Sequence, residues 1–257
     1  MKTTTALRLG ITLLGLAIGL TLACGGGATT KKPAELTIEQ RVRTAHSMLR
    51  AGRVTQAMEI MDEVLAERGD DARLWSEYGS LCFQAGRYVT AERAFLEAIR
   101  LDPNFSDAHN FLGVVYVMTD RLGDARKHLQ IALDDPAYPT PEKVYLNMSR
   151  LLVKEGRDVE AVDALRRAVE INPKYYQAHY SLASILDRMG EFHEAVREYE
   201  VAAPDYRQVA EYHYRLGNAY LQIGEREKAR ESLRRVLSIA PGSHSAARAD
   251  DLLEMLD

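Results

Sequence analysis

Three histidines, His109, His179 and His213, are the side chains that first invite a chemical reading. An imidazole can act as base, acid or metal ligand near neutral pH. The surrounding sequence supplies none of the partners such chemistry needs. No nucleophile with an adjacent base, no glycine-rich phosphate loop and no metal-ligand spacing accompanies them. Only two cysteines exist, Cys24 and Cys82. Cys82 falls on an apolar helical position and reads as a buried structural thiol. The cationic pairs Arg126-Lys127, Arg166-Arg167 and Arg234-Arg235 alternate with glutamates and read as solvated helix faces with i,i+4 pairing. A formal charge of −4 with no basic block argues against a nucleic-acid surface. Composition therefore points away from catalysis, with no cofactor, metal or small-molecule substrate expected.

The elements that position these residues are repeats. Ala57, Ala91 and Ala125 stand 34 residues apart, and so do Ala161, Ala195 and Ala229. Two extra residues separate the third copy from the fourth, which gives six units: 38–71, 72–105, 106–139, 142–175, 176–209 and 210–243. Small residues precede each alanine by twelve places (Ala45, Gly79, Gly113, Ser149, Ala183, Gly217), and a turn residue precedes it by five (Gly52, Gly86, Asp120, Gly156, Gly190, Gly224). Pro103, Pro173 and Pro241 close three of the units. Each unit carries two helical apolar periodicities separated by that turn. Proline cannot donate a backbone bond within a helix and ends the second one.

This pattern resembles the tetratricopeptide repeat at its own 34-residue period. The resemblance implies an all-α, right-handed superhelical solenoid of six repeats over residues 38–257, with residues 244–256 as a capping helix through Ala247, Leu252, Leu253 and Leu256. Such a stack buries each unit's apolar face only against its neighbours, so both ends need caps. Within it the three histidines share the fourth place of their units with Trp75 and Tyr145, which is an aromatic packing position. Adjacent units stand roughly 10 Å apart, while a metal–histidine bond is about 2.0–2.1 Å, so the column cannot share a metal.

The beginning of the chain has another character. Lys2 and Arg8 precede an uncharged run from Leu9 to Ala23, too short for a comfortable transmembrane helix and laid out like a secretory signal over residues 1–23. Leu20-Thr21-Leu22-Ala23-Cys24 resembles the lipobox of bacterial lipoproteins, which implies cleavage before Cys24 and lipid on it. Cleavage would remove two cations and take the formal charge from −4 to −6. Residues 24–37 open with Gly25-Gly26-Gly27 and read as a tether. An acylated Cys24 leaves Cys82 without a disulfide partner. Gly25 after the cysteine resembles lipoproteins sorted to the outer membrane, anchored on its periplasmic face.

In the resembling family the fifth, ninth and twelfth residues of each first helix line a groove for a protein partner. Carried over, the groove comprises Ser76, Ser80 and Phe83; Asn110, Val114 and Val117; and Leu146, Arg150 and Val153. It continues with Tyr180, Ser184 and Asp187, then Tyr214, Asn218 and Leu221. The contact face is expected at Phe83, Asn110, Val114, Val117, Leu146, Arg150, Tyr180, Tyr214 and Asn218. The Lys/Asn carboxylate clamp of cytosolic co-chaperones is absent from these places. Residues 111–118 are apolar all round, so either the stack closes tightly there or a partner covers them.

The break at Tyr138-Pro139-Thr140-Pro141, followed by Val144 and Asn147, resembles the pilotin lipoproteins of type IV pilus secretins, which are also six-repeat lipoproteins. The resemblance implies that the chain binds secretin subunits and promotes their outer-membrane localisation and assembly. A general exported scaffold for envelope or polysaccharide-export assembly fits the repeats equally well. About 14 residues follow the sixth unit, too few for a catalytic domain.

Overall fold

The computed structural model describes residues 36–256. Cys24, the signal segment 1–23 and the tether as far as residue 35 lie outside the described residues. Thirteen helices follow one another: α1 (Ile38–Arg50), α2 (Val54–Arg68), α3 (Ala72–Gln84), α4 (Tyr88–Leu101), α5 (Ser106–Met118), α6 (Leu122–Asp134), α7 (Pro141–Lys154), α8 (Asp158–Ile171), α9 (Tyr176–Met189), α10 (Phe192–Tyr206), α11 (Ala210–Gln222), α12 (Arg226–Ile239) and α13 (His244–Glu254). Among the described residues none is long and apolar enough to cross a membrane. Each odd helix packs most closely on the even helix after it, and each pair packs on the next, which is a solenoid.

The small columns create the close approach. Ala57, Ala91, Ala125, Ala161, Ala195 and Ala229 have no exposed surface. One turn further along the same second helices, large side chains fill sockets left by glycines of the first helices. A Cβ added to Gly79 would sit 2.7 Å from the Phe95 ring, and one on Gly113 would sit 2.6 Å from Leu129. Met61, Phe95, Leu129, Leu165, Tyr199 and Leu233 occupy one column and are fully buried. Full burial of such a side chain contributes about 1.5–3 kcal/mol, so this column carries much of the packing energy.

The turn inside each pair follows one rule. The residue after the turn glycine returns its N–H to a carbonyl five residues back: Arg87 to Cys82 at 2.8 Å, Arg157 to Leu152 at 2.9 Å, Glu225 to Tyr220 at 2.9 Å. This closure requires positive φ at the residue before it. Gly86 supplies it at 73°, and in the third pair Asp120 takes 63°, the one non-glycine residue in that region among those described. Helix starts show less side-chain capping; Thr37 with Gln40, Asp71 and Ser243 provide it for α1, α3 and α13.

Two expectations are corrected or decided. Ala247 is exposed; α13 instead buries Ala246 and Ala249, with Leu252, Leu253 and Leu256 partly covered. The helix is rotated from the expected register because Ser243 caps it and Ser245 bonds Glu211. The all-round apolar stretch of α5 is covered mostly from within. Leu112, Val115, Tyr116 and Val117 are buried, and α3, α4, α6 and α7 all touch the helix. Met118 remains half exposed. Cys82 is buried beside Met58, and burial pushes its thiol up to about 11.

Candidate protein-binding face

The groove columns are not equally open along the stack. In the third and fourth pairs they are partly closed: Asn110, Val117 and Leu146 are buried. Val114 is half-buried and Arg150 exposed. Towards the ends the columns open. Phe83, Tyr180, Tyr214 and Asn218 are all partly exposed. These nine residues therefore divide into a buried set and a solvent-reaching set.

The seal at the middle is polar. Tyr138, in the break between the third and fourth pairs, turns inward and is 7% exposed. Its hydroxyl donates to Asp107 Oδ1 at 2.7 Å and accepts from Asn110 Nδ2 at 3.4 Å. Asn110 Oδ1 accepts from Asn147 Nδ2 at 2.8 Å, and Asn147 Oδ1 accepts from Arg150 Nη1 at 2.9 Å. The relay thus links the inserted loop, α5 and α7 in one run of satisfied groups, as buried polar atoms require. Burial pushes the Tyr138 phenol up to about 12, so it remains a donor.

The open end is aromatic. The Tyr180 ring stacks on Tyr206 at 4.4 Å, Tyr206 stacks on Tyr212 at 5.8 Å, and Tyr199 meets Tyr212 edge-on at 6.1 Å. Beside them Arg215 Nη1 donates to Ser184 Oγ at 3.3 Å, and its Nε lies 3.0 Å from Glu211. Burial raises the Asp187 carboxyl, with Arg215 opposing the shift. The capping helix reaches this end: the Arg248 guanidinium lies 4.0 Å over the Tyr214 ring. Aromatic faces next to donors and acceptors can hold an apolar side chain and its flanking backbone together.

The histidine column does more than pack. His109 Nε2 lies 3.1 Å from the Pro103 carbonyl, His179 Nε2 3.1 Å from that of Pro173, and His213 Nε2 3.1 Å from that of Arg207. Trp75 Nε1 donates to Gly69 at 2.8 Å. At these four places the column is a ring N–H donor to the carbonyl six residues earlier, which ties the pair to the end of the previous one; Tyr145, with no ring N–H, is the exception. Residue type hinted at this, since Trp and His share a ring N–H. The second nitrogen meets a different partner in the third and fifth pairs: His109 Nδ1 meets His128 Nδ1 at 2.9 Å, and His179 Nδ1 meets Glu198 at 2.6 Å. With Nε2 of His109 donating, its Nδ1 accepts from His128. Burial, then the neighbouring His109, lowers His128 to about 4. Among the described residues no group of three or more His, Cys, Asp or Glu is placed to hold a metal ion.

Models of the tetratricopeptide repeat match residues 42–104, 90–140, 152–214 and 210–243. Over 186 residues the chain is 25% identical to protein O-mannosyl-transferase TMTC3 of Homo sapiens, which covers 67% of the chain and 20% of that protein. It is 20% identical over 190 residues to the TPR repeat-containing protein YpiA of Bacillus subtilis, with 74% of the chain and 44% of YpiA covered. The chain thus spans less than half the length of these curated relatives. Among solved structures, Pseudomonas aeruginosa PilF has a TM-score of 0.72 at 16% identity, covering 84% of the chain and 97% of PilF. PilW, a widely conserved type IV pilus biogenesis factor, has a TM-score of 0.73 at 19% identity, covering 84% of the chain and 99% of PilW. At these identities the likeness establishes the fold.

Proposed function

The chain belongs to the tetratricopeptide-repeat family, and from that premise we propose that it is a lipid-anchored pilotin, a non-catalytic protein that binds secretin subunits and promotes their localisation and assembly at the outer membrane in type IV pilus biogenesis. The observation that carries this reading is one of extent: the same fold runs through 84% of this chain and nearly all of PilF and PilW. The signal-like start and Cys24 add the route to the periplasmic face of the outer membrane. Bacterial lipoproteins bearing more than one acyl chain hold a membrane where a single chain binds only marginally.

The solvent-reaching groove residues supply the chemistry of capture. Phe83, Val114, Tyr180 and Tyr214 offer apolar and aromatic surface, while Arg150 and Asn218 offer donors to a partner's backbone. A secretin segment laid against this face is shielded from aggregation until its ring closes. The buried residues Asn110, Val117 and Leu146 support that face from beneath.

The test is secretin assembly in cells, read by immunoblot of unboiled samples. Deletion of the gene is expected to remove the high-molecular-weight multimer while monomer persists. Cys24→Ala is expected to leave multimer in the wrong membrane. A normal multimer in both strains would overturn the pilotin reading.

A further inference from the structure

The second nitrogen of the histidine column marks a site on another side of the molecule. In the third and fifth pairs, His128 and Glu198 from the second helix reach across to meet His109 and His179. The sixth pair breaks this arrangement. Its equivalent residue is Ser232, 34 places after Glu198 and too short to span the gap. His213 keeps its bond to the Arg207 carbonyl, and its other nitrogen has no hydrogen-bond partner among the described residues. A second departure lies beside it. Where other pairs end in Pro103, Pro173 and Pro241, the fifth places Arg207, because α10 runs through Pro204 to Tyr206.

Between α10 and α12, over α11, these two changes leave a cleft of about 770 Å³. Its floor is Ala203, Tyr212, Leu216 and Tyr220. Its rim carries Arg207, Lys228, Arg234 and Arg235 against two carboxylates, Glu200 and Glu231. Glu200 is already engaged by the Tyr220 hydroxyl at 2.6 Å. Lys228 lies 3.8 Å from Glu225 and 5.5 Å from the centre of the Tyr220 ring. Arg207, Arg234 and Arg235 make no side-chain ion pair among the described residues, whereas Arg121, Arg157 and Arg166 each hold carboxylates. A net cationic rim on a chain of net charge −4 is a local reversal of sign.

The groove cannot be the same site. A helix turns about 100° per residue, so Tyr214 and Asn218 point away from Tyr212, Leu216 and Tyr220 on α11.

We propose that this cleft is a second binding site, taking an acidic peptide segment that carries one aromatic or large aliphatic side chain. That side chain seats on Tyr212, Leu216 and Tyr220. The carboxylates on either side of it pair with Arg207, Arg234 and Arg235, whose planar forks suit bidentate carboxylate contacts. A cleft with an apolar floor suits an inserted side chain better than a flat anionic surface. The inference does not rest on the secretin reading.

Fluorescence anisotropy of the full chain tests it, with a fluorescein-labelled peptide of glutamates flanking one tryptophan. Binding is expected, and it should weaken as salt rises from 50 to 300 mM, because exposed charges are screened. Combining Arg234→Glu with Arg235→Glu should weaken binding at least tenfold without changing the circular dichroism. Ser232→Glu, which restores the group that pairs with histidine in the fifth pair, should weaken it similarly by filling the cleft. Val114→Asp in the groove should leave it unchanged. Equal affinity for a peptide with lysines in place of the glutamates, or no loss in the double arginine variant, would overturn the proposal. So would arginine-dependent binding to phosphatidylglycerol vesicles with no binding of the peptide, since the rim would then face a membrane.

Discussion

The junction between the third and fourth pairs and the junction between the fifth and sixth solve the same problem with opposite materials. At the first, two inserted residues let Tyr138 fold inward, and a chain of hydrogen bonds from Asp107 to Arg150 closes the groove. At the second nothing is inserted. The helix runs on through Pro204, and Tyr180, Tyr206 and Tyr212 stack their rings. Directional bonds among buried groups tolerate little change of geometry, because an unsatisfied partner is costly. Stacked rings slide at small cost, and here Tyr180 and Tyr206 stay partly exposed over a buried Tyr212. The middle of the molecule is thus built to hold a shape, and its far end to yield more readily.

The sharpest way to break that comparison uses one column. Leu146 and Tyr180 occupy equivalent places, but Leu146 is 2% exposed. Leu146→Asp should cost at least about 4 kcal/mol, since it buries an unpaired charge. Tyr180→Asp should cost about 2 kcal/mol or less, mainly lost ring contacts. Urea unfolding followed by circular dichroism measures both, and equal losses would erase the distinction.

A second difference is titratable. His128, in the third pair, is lowered to about 4 by burial and by His109. Its folded form refuses a proton that the unfolded chain accepts below about 6.5, the ordinary histidine value. Stability should therefore be full above pH 6.5, fall as pH drops towards 4 and lose no more below it, by about 1–3 kcal/mol in all. His128→Gln should flatten this slope in melts recorded across that window.

Tyrosine hydroxyls sharpen the contrast further. Tyr138→Phe should cost about 1–2 kcal/mol, because Asp107 and Asn110 lose their common partner. Tyr206→Phe should change stability by no more than about 0.5 kcal/mol, since its ring and not its hydroxyl makes the contacts. The smallest effect is expected at the turn. Asp120→Gly relieves a positive φ of 63° and loses the exposed Lys154 contact at 3.2 Å. The net should be a gain of about 0.5 kcal/mol.

Residue spacing alone disclosed the helices, the small columns and the buried Cys82, because each is a matter of size and period. The inward turn of Tyr138 was not legible, since three prolines announce a loop but not which way its aromatic points. Nor was the histidine bond to the carbonyl six residues back, because a carbonyl has no identity in a sequence. The cleft over α11 left two traces, Ser232 where the other histidine-bearing pairs hold His128 and Glu198, and Arg207 where three other pairs hold proline. Both are visible only when a column is read for its exceptions. Ala247 was misplaced because a helix of eleven residues can present either of two faces until its cap settles the register.

The bond that four of the fourth-place rings make to the carbonyl six residues earlier has a direction. Trp75, His109, His179 and His213 all reach back towards residues that came before them in the chain, and none reaches forward. A chain delivered amino end first, from a ribosome or through a narrow pore, therefore always has the acceptor waiting when the donor emerges. Four of the arriving pairs lock the end of the one already out, so assembly there can proceed like a ratchet in the order of delivery. Threading from the opposite end would present every ring before its carbonyl, and each lock would have to wait for the next segment.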